Sequence, residues 1–220
     1  MLADLTVSEL LEKTAAGTPV PGGGSLSAMA AAVGAALAQM VAGLTAGRKA
    51  FTAVTPEMTE LAEKARRLRT DLLADMDRDA AAYTAVMDAF RLPRETAEEK
   101  SRRADAIQRA TREAARVPLA VAEKALDVMM LAGTTVAKGN PNAMSDGAVG
   151  AMLARAALQG ALFNVKINLR DIRDEAFAAR LSAEAEALDA RARALETTIL
   201  SHITLEDIDI GLCSFFFNNF

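Results

Sequence analysis

At 220 residues the chain is long enough to bury a core as one domain, and its 51% hydrophobic, 25% charged and 4% aromatic content suits Ala/Leu/Met-rich helices better than a β-sandwich. A net charge of −4 excludes the concentrated basic face that nucleic acid needs, and a single cysteine excludes an intramolecular disulfide framework. One histidine and one cysteine leave no ligand set for zinc or a histidine-rich iron site, so no metal or cofactor is expected, although carboxylate sites for Mg²⁺ remain open.

The 3.6-residue period runs through almost the whole chain and the two-residue period is nearly absent. This predicts an all-α protein: a largely up-and-down bundle of long helices at about 6–16, 25–46, 56–91, 95–136, 145–171 and 174–202. No basic region followed by an apolar run and a cleavage site opens the sequence, and a cytoplasmic location is expected.

After the short first helix, no charged residue occurs between Lys13 and Arg48. That stretch opens on Pro21-Gly22-Gly23-Gly24-Ser25 and continues into an Ala-rich segment with small residues at Ser27, Ala31, Ala35, Ala38 and Ala42. Its length would reach across a bilayer, but Gln39 and several hydroxyls interrupt it and large apolar residues are sparse. A tightly packed central helix is expected rather than a membrane span. The glycines are not a Walker loop, because no Gly-Lys-Ser/Thr follows them. Ser25 suits the N-cap, with the glycines at positive φ or lying against a ligand, and free helix N–H groups facing that ligand. The other reading is that they merely uncouple two helices.

Farther along, Pro56 fits a first helical turn behind Thr55 as N-cap, and Leu92-Pro93 ends one helix where Thr96 and Glu99 cap the next. Pro118 falls within the helix at 95–136 and is expected to kink or split it. The turn cluster Gly139-Asn140-Pro141-Asn142 precedes Ser145-Asp146, which can cap and charge the following helix. No internal repeat is visible. The helical domain is placed at 1–204 and an atypical tail at 205–220, where four of the eight phenylalanines, Phe215, Phe216, Phe217 and Phe220, occupy the last six positions.

Three places bring polar groups into apolar surroundings. In Asp75-Met76-Asp77-Arg78-Asp79, Asp75 and Asp79 share a helix face and Asp79 lies one turn before Tyr83; an inward carboxylate there would have a raised pKa, whereas outward ones would be solvated surface charges. In the helix at 145–171, Asn164, Asn168 and Asp171 form one stripe with Gly160 a turn earlier, which either bonds another helix or lines a polar pocket. Gly47-Arg48-Lys49 places cations at a helix C-terminus, an arrangement that the helix dipole favours on its own. His202 reads as a surface residue.

Taken in order, Thr18-Pro19-Val20-Pro21-Gly22-Gly23-Gly24-Ser25, Gly47-Arg48-Lys49, Asp79 with Tyr83, Leu92-Pro93, Val117-Pro118-Leu119, Gly139-Asn140 with Ser145-Asp146, and Asn164-Val165-Lys166-Ile167-Asn168-Leu169 resemble the cyclodeaminase/cyclohydrolase family. The resemblance covers about residues 4–200, and the tail departs from it. It implies a cofactor-free, all-helical homodimer acting on a one-carbon derivative of tetrahydrofolate, without nucleic-acid or membrane partners. Cyclodeaminases close the folate N10 onto a formimino carbon and release ammonia, giving 5,10-methenyltetrahydrofolate; cyclohydrolases add water to that methenyl carbon and open the ring to 10-formyltetrahydrofolate. The first of these reactions is the primary expectation and the second the alternative.

Both reactions pass through a tetrahedral carbon between two nitrogens and need a proton shuttle in a polar cradle. Within the resemblance, Asp79 is the first candidate for the shuttle, Asp146 the second, and Lys49 balances its charge. Arg48, with Lys49, would hold the glutamate carboxylates of the folate. Pro21, Gly22, Gly23, Gly24, Ser25, Asn140, Ser145, Asn164 and Asn168 would bind the substrate. A helical dimer module without turnover is the competing reading; an enzyme should bring Asp79, Lys49 and the asparagines to one cleft, directly or across a dimer interface.

Overall fold

The computed structural model describes residues 1–203; the phenylalanine-rich tail at 205–220 lies outside the described residues. The described residues contain helices and no strand: α1 (Val7–Ala15), α2 (Gly23–Ala46), α3 (Thr55–Arg91), α4 (Ala97–Lys138), α5 (Met144–Leu169) and α6 (Glu175–Leu200), with short 3-10 turns at Leu2–Asp4, Lys49–Val54 and Pro141–Ala143. All six expected helices are present. Capping boxes start α1, through Thr6 and Glu9, and α4, through the expected Thr96 and Glu99.

Helix α2 is the axis of the bundle, packed against α3, α4 and α5, while α6 covers α4 and α5. Successive helices run antiparallel. Ser25 at the start of α2 meets Met76 and Asp79 late in α3; Glu57 early in α3 pairs with Lys138 at the end of α4; and Asn168 late in α5 meets Ala114 in the first half of α4. The small residues of α2 do what their spacing predicts, since Ala31, Ala35, Ala38 and Ala42 have no exposed surface. At the α2/α5 crossing, a Cβ on Gly34 would stand 2.7 Å from the carbonyl oxygen of Gly150. Backbone therefore lies on backbone, and any larger side chain would force the two helices apart. By length and composition alone, α2 and Pro141–Leu169 are apolar enough to cross a membrane; half of the α2 window is buried against the other helices.

Four local expectations are corrected. Helix α2 begins at Gly23 with Gly22 as N-cap, so Ser25 already sits in the first turn, and its hydroxyl points into the core instead of capping. None of the three consecutive glycines has positive φ; among the described residues only Gly17 does. Thr55 is the first residue of α3 and bonds back to the carbonyls of Ala46 and Phe51. Neither Ser145 nor Asp146 is the N-cap of α5: the helix starts at Met144, and Asn140 caps the 3-10 turn before it by accepting the N–H of Asn142.

Pro118 does not split α4, which runs continuously from Ala97 to Lys138. A proline has no N–H for the carbonyl four residues back, here that of Ala114. That carbonyl accepts instead from the Asn168 side-chain amide at 2.8 Å. The orphan acceptor is satisfied across the helix interface, so the proline costs less than it would in a lone helix.

Candidate active site

The end of the bundle where α2 begins holds a carboxylate with unusual surroundings. Asp79, on α3, lies against the first turn of α2 so closely that a Cβ on Gly24 would stand 2.2 Å from its Oδ1. Glycine is required at 24 for this approach, not for backbone conformation, whereas a Cβ on Gly23 would make only an ordinary 3.5 Å contact with Asn164. The Ser25 hydroxyl, completely buried, lies 2.8 Å from Asp79 Oδ2. Burial raises the Asp79 pKa above the ordinary carboxylate range, opposed by the Ser25 hydroxyl and by the Ser25 backbone N–H. Helix N-terminal N–H groups favour the anion, yet desolvation prevails. No cation contributes to the Asp79 environment. On α4 Asp127, the other carboxylate among the described residues pushed upward by burial, has Arg191 acting against the shift.

The neighbouring aspartates on α3 are spent on structure. Asp75 is 2% exposed and held between Arg78, at 2.7 Å, and Lys124, at 2.5 Å. Its two oxygens are thus each taken up by an ion pair. Asp77 Oδ1 accepts the Leu2 backbone N–H at 2.7 Å, tying the N-terminal turn to α3. The three carboxylates of one short segment thus have three different surroundings: Asp75 is held by two cations, Asp77 holds the Leu2 N–H, and of the three only Asp79 has its pKa raised by burial.

The asparagine stripe of α5 faces the same end. Asn164 donates its side-chain amide to the Gly160 carbonyl, and Asn168 donates to the carbonyls of Asn164 and Ala114. With both amide nitrogens pinned to carbonyls, the side-chain oxygens are left as acceptors. The first-turn N–H groups of Gly23 and Gly24 have no intrahelical acceptor and supply donors. A ligand here meets a half-buried carboxyl whose pKa is raised by burial, amide acceptors on α5 and backbone donors on α2. That suits acid–base chemistry on a nitrogen-rich heterocycle. Among the described residues no group of histidine, cysteine and carboxylate side chains could hold a metal ion.

The other expected site residues lie at the opposite end. Helix α2 has 24 residues, which at about 1.5 Å per residue separates its ends by about 36 Å. Arg48 and Lys49 are exposed just beyond its C-terminus. There Thr45 accepts the Asn140 backbone N–H at 2.9 Å, and Asn140 is 3% exposed with its side-chain oxygen used in the turn, so it is structural within the subunit. Ser145 is exposed and Asp146 half-buried in the first turn of α5. One subunit therefore brings together Asp79, Gly22, Gly23, Gly24, Asn164 and Asn168, and does not bring Lys49, Arg48, Asn140, Ser145 or Asp146 to them. Ser25 is at the right end but too buried to touch substrate. Pro21 is buried beside the glycines after a cis peptide bond from Val20. The roles of Ser25 and Gly24 toward Asp79 escape a sequence reading because they depend on two helices meeting, 54 residues apart in the chain for Ser25 and Asp79.

The family model for formiminotransferase-cyclodeaminase matches residues 6–187. A methenyltetrahydrofolate cyclohydrolase of Methylorubrum extorquens is 39% identical over 90% of this chain and 96% of its own length. The formimidoyltransferase-cyclodeaminase of Mus musculus is 37% identical over 80% of this chain, which spans only 32% of that longer protein. The crystal structure of a formiminotetrahydrofolate cyclodeaminase from Thermotoga maritima superimposes with a TM-score of 0.84 at 30% identity, covering 95% of this chain and all of that one.

Proposed function

The chain belongs to the formiminotransferase-cyclodeaminase family, and from that premise we propose that it makes or hydrolyses the methenyl bridge of tetrahydrofolate at the end where Asp79 lies half-buried. The observation that carries the proposal is a carboxyl with a raised pKa and no counter-ion, set between free backbone donors and amide acceptors. In the hydrolytic direction, water adds to the methenyl carbon and loses its proton to Asp79. Asp79 returns that proton to the nitrogen that departs as the tetrahedral carbon collapses to the formyl group, and the ionised Asp79 then takes the hydroxyl proton released in the collapse and passes it to solvent. In the cyclodeaminase direction, N10 attacks the carbon of the protonated formimino group and gives its proton to the shuttle, which delivers it to the amino group so that ammonia departs and the methenyl cation remains. The Asn164 and Asn168 oxygens would accept from the N–H and amino groups of the pterin, and the glycine N–H groups would donate to its carbonyl.

Each reaction has an observation in its favour. A relative of matching length is a methenyltetrahydrofolate cyclohydrolase, which puts hydrolysis level with the cyclodeaminase reading that the sequence put first; a structural match over 95% of this chain is to a cyclodeaminase. A spectroscopic assay decides: loss of the methenyl chromophore from 5,10-methenyltetrahydrofolate marks a cyclohydrolase, and its appearance from 5-formiminotetrahydrofolate with ammonia release marks a cyclodeaminase. No turnover of either folate would leave the helical dimer module as the reading.

The proposal includes a cytoplasmic homodimer that uses no metal or cofactor. Exposed apolar side chains on α2 (Val33, Met40, Leu44) and α5 (Val149, Met152, Phe163, Ile167) suit burial against a second copy. Antiparallel pairing would carry Arg48, Lys49 and Asp146 of one copy toward Asp79 of the other, the contribution that a single subunit cannot make. If so, Asp79→Asn and Lys49→Met proteins, each inactive alone, should recover roughly a quarter of wild-type activity when mixed, because half the dimers are hybrids with one intact site. A monomer by light scattering at micromolar concentration would sink the dimer.

A further inference from the structure

The Ser25 hydroxyl has one hydrogen and two acceptors within reach, Asp79 Oδ2 at 2.8 Å and the Met76 carbonyl at 3.0 Å. We infer that Ser25, buried in the first turn of α2, is a positioning residue that holds the Asp79 carboxyl in one place in every protonation state by moving its single hydrogen between these two acceptors. When Asp79 is ionised, the hydroxyl donates to Oδ2. With a proton on Oδ1, facing the glycine turn, the same bond persists, since the carbonyl-like Oδ2 still accepts. When the proton sits on Oδ2, it is donated to Ser25 Oγ, and the serine hydrogen turns to the Met76 carbonyl. In all three states the bond between Ser25 Oγ and Asp79 Oδ2 persists and the carboxyl plane does not turn.

The surroundings leave the role to Ser25. Asp75, one turn away on the same helix face, is taken by Arg78 and Lys124, and no cation contributes to Asp79. Ser25 itself has no exposed surface, so it contacts no substrate. A shuttle that takes a proton from one nucleophile and gives it to another leaving group must keep its geometry while its charge changes, because misplacement is costly to the rate. A partner that can only donate, such as a lysine or a backbone N–H alone, loses its bond when the proton sits on the oxygen facing it.

This inference rests on Asp79 being the shuttle, and the test keeps the two apart. Ser25→Ala should lower kcat on whichever folate is turned over by roughly 10- to 100-fold, the range of a lost hydrogen bond to a charged group, with KM within about threefold of wild type. Ser25→Cys keeps the volume but donates weakly, and should fall between the two with an unchanged melting temperature; it carries the test if the alanine protein does not fold. Combining Ser25→Ala with Asp79→Asn should cost no more than Asp79→Asn alone, because the serine acts only through the carboxyl. Wild-type kcat in both serine variants overturns the inference, as does a Ser25→Ala effect of the same size with and without Asp79. A fully active Asp79→Asn protein would instead overturn the proposed function.

Discussion

The two ends of helix α2 carry the same kinds of residue, glycines, a hydroxyl, an asparagine partner and an aspartate nearby, and the fold uses them differently. Where α2 ends, Thr45, Asn140 and Asn142 close a chain of hydrogen bonds to one another and to backbone, and the cations of Arg48 and Lys49 point to solvent. Where α2 begins, a carboxyl is buried against glycine with a serine as its side-chain partner and no cation to neutralise it. The difference is one of leftover capacity. A polar cluster that satisfies itself is architecture, and one that buries an ionisable group without a counter-ion keeps a proton to trade.

The sharpest way to break this contrast is to neutralise one aspartate at each end. Asp79→Asn keeps the hydrogen bond with Ser25 but cannot titrate, so kcat should fall by roughly two to four orders of magnitude with folate binding retained. Asp146→Asn, in the first turn of α5, should cost far less. Steady-state kinetics on both folates check this, and a dead Asp146→Asn beside an active Asp79→Asn would reverse the roles of the two ends.

Glycine substitutions probe the same contrast with smaller effects. Gly24→Ala sets a Cβ where the Asp79 carboxylate now lies, and displacing that group by an ångström should lower kcat about a hundredfold. Gly43→Ala, near the other end, meets nothing within 4 Å and should stabilise the helix by about 0.5–1 kcal/mol without touching activity. Thermal melts with parallel assays separate the two. Gly23→Ala belongs with Gly43→Ala in its effect on activity, and a Gly23 variant more damaging than Gly24→Ala would show that the close approach has been assigned to the wrong residue.

Asn168 connects the active end to the helix framework. Asn168→Leu leaves the Ala114 carbonyl without a partner and should destabilise by about 1–3 kcal/mol. In a Pro118→Ala background the residue at 118 supplies its own N–H to that carbonyl, so the same Asn168→Leu change should cost clearly less in denaturant melts. Equal costs in both backgrounds would mean that the amide serves the ligand and not the proline.

The smallest effect is on stability against pH. A carboxyl whose folded pKa is raised binds its proton better when folded than when unfolded, so its contribution to stability is lost as pH rises from the ordinary carboxylate range through the raised value. Asp79→Asn removes that loss. Wild type and variant should run parallel below about pH 4, and the variant should gain relative stability as pH rises toward neutral. A gap that narrows over that range would mean an unseen cation beside Asp79.

What the sequence determined by itself was everything that follows from local periodicity and punctuation. Six helices were legible from the 3.6-residue period, the start of α4 from Thr96 and Glu99, and the tight packing of α2 from the spacing of Ala31, Ala35, Ala38 and Ala42, because these depend on neighbours within a few turns. Asp79 was legible as a carboxylate among small residues, and the ordered motifs carried the family. Tertiary structure alone decided that Ser25 turns inward and not to its own helix end, that Gly24 makes room for a carboxylate instead of adopting positive φ, and that Pro118 passes unbroken because an asparagine 50 residues later replaces its missing donor. It also decided that Lys49 and Asp79 stand at opposite ends of one subunit. Each of these rests on which helix faces which, and a hydrogen bond or a steric contact between helices leaves no period in the chain from which it could be read.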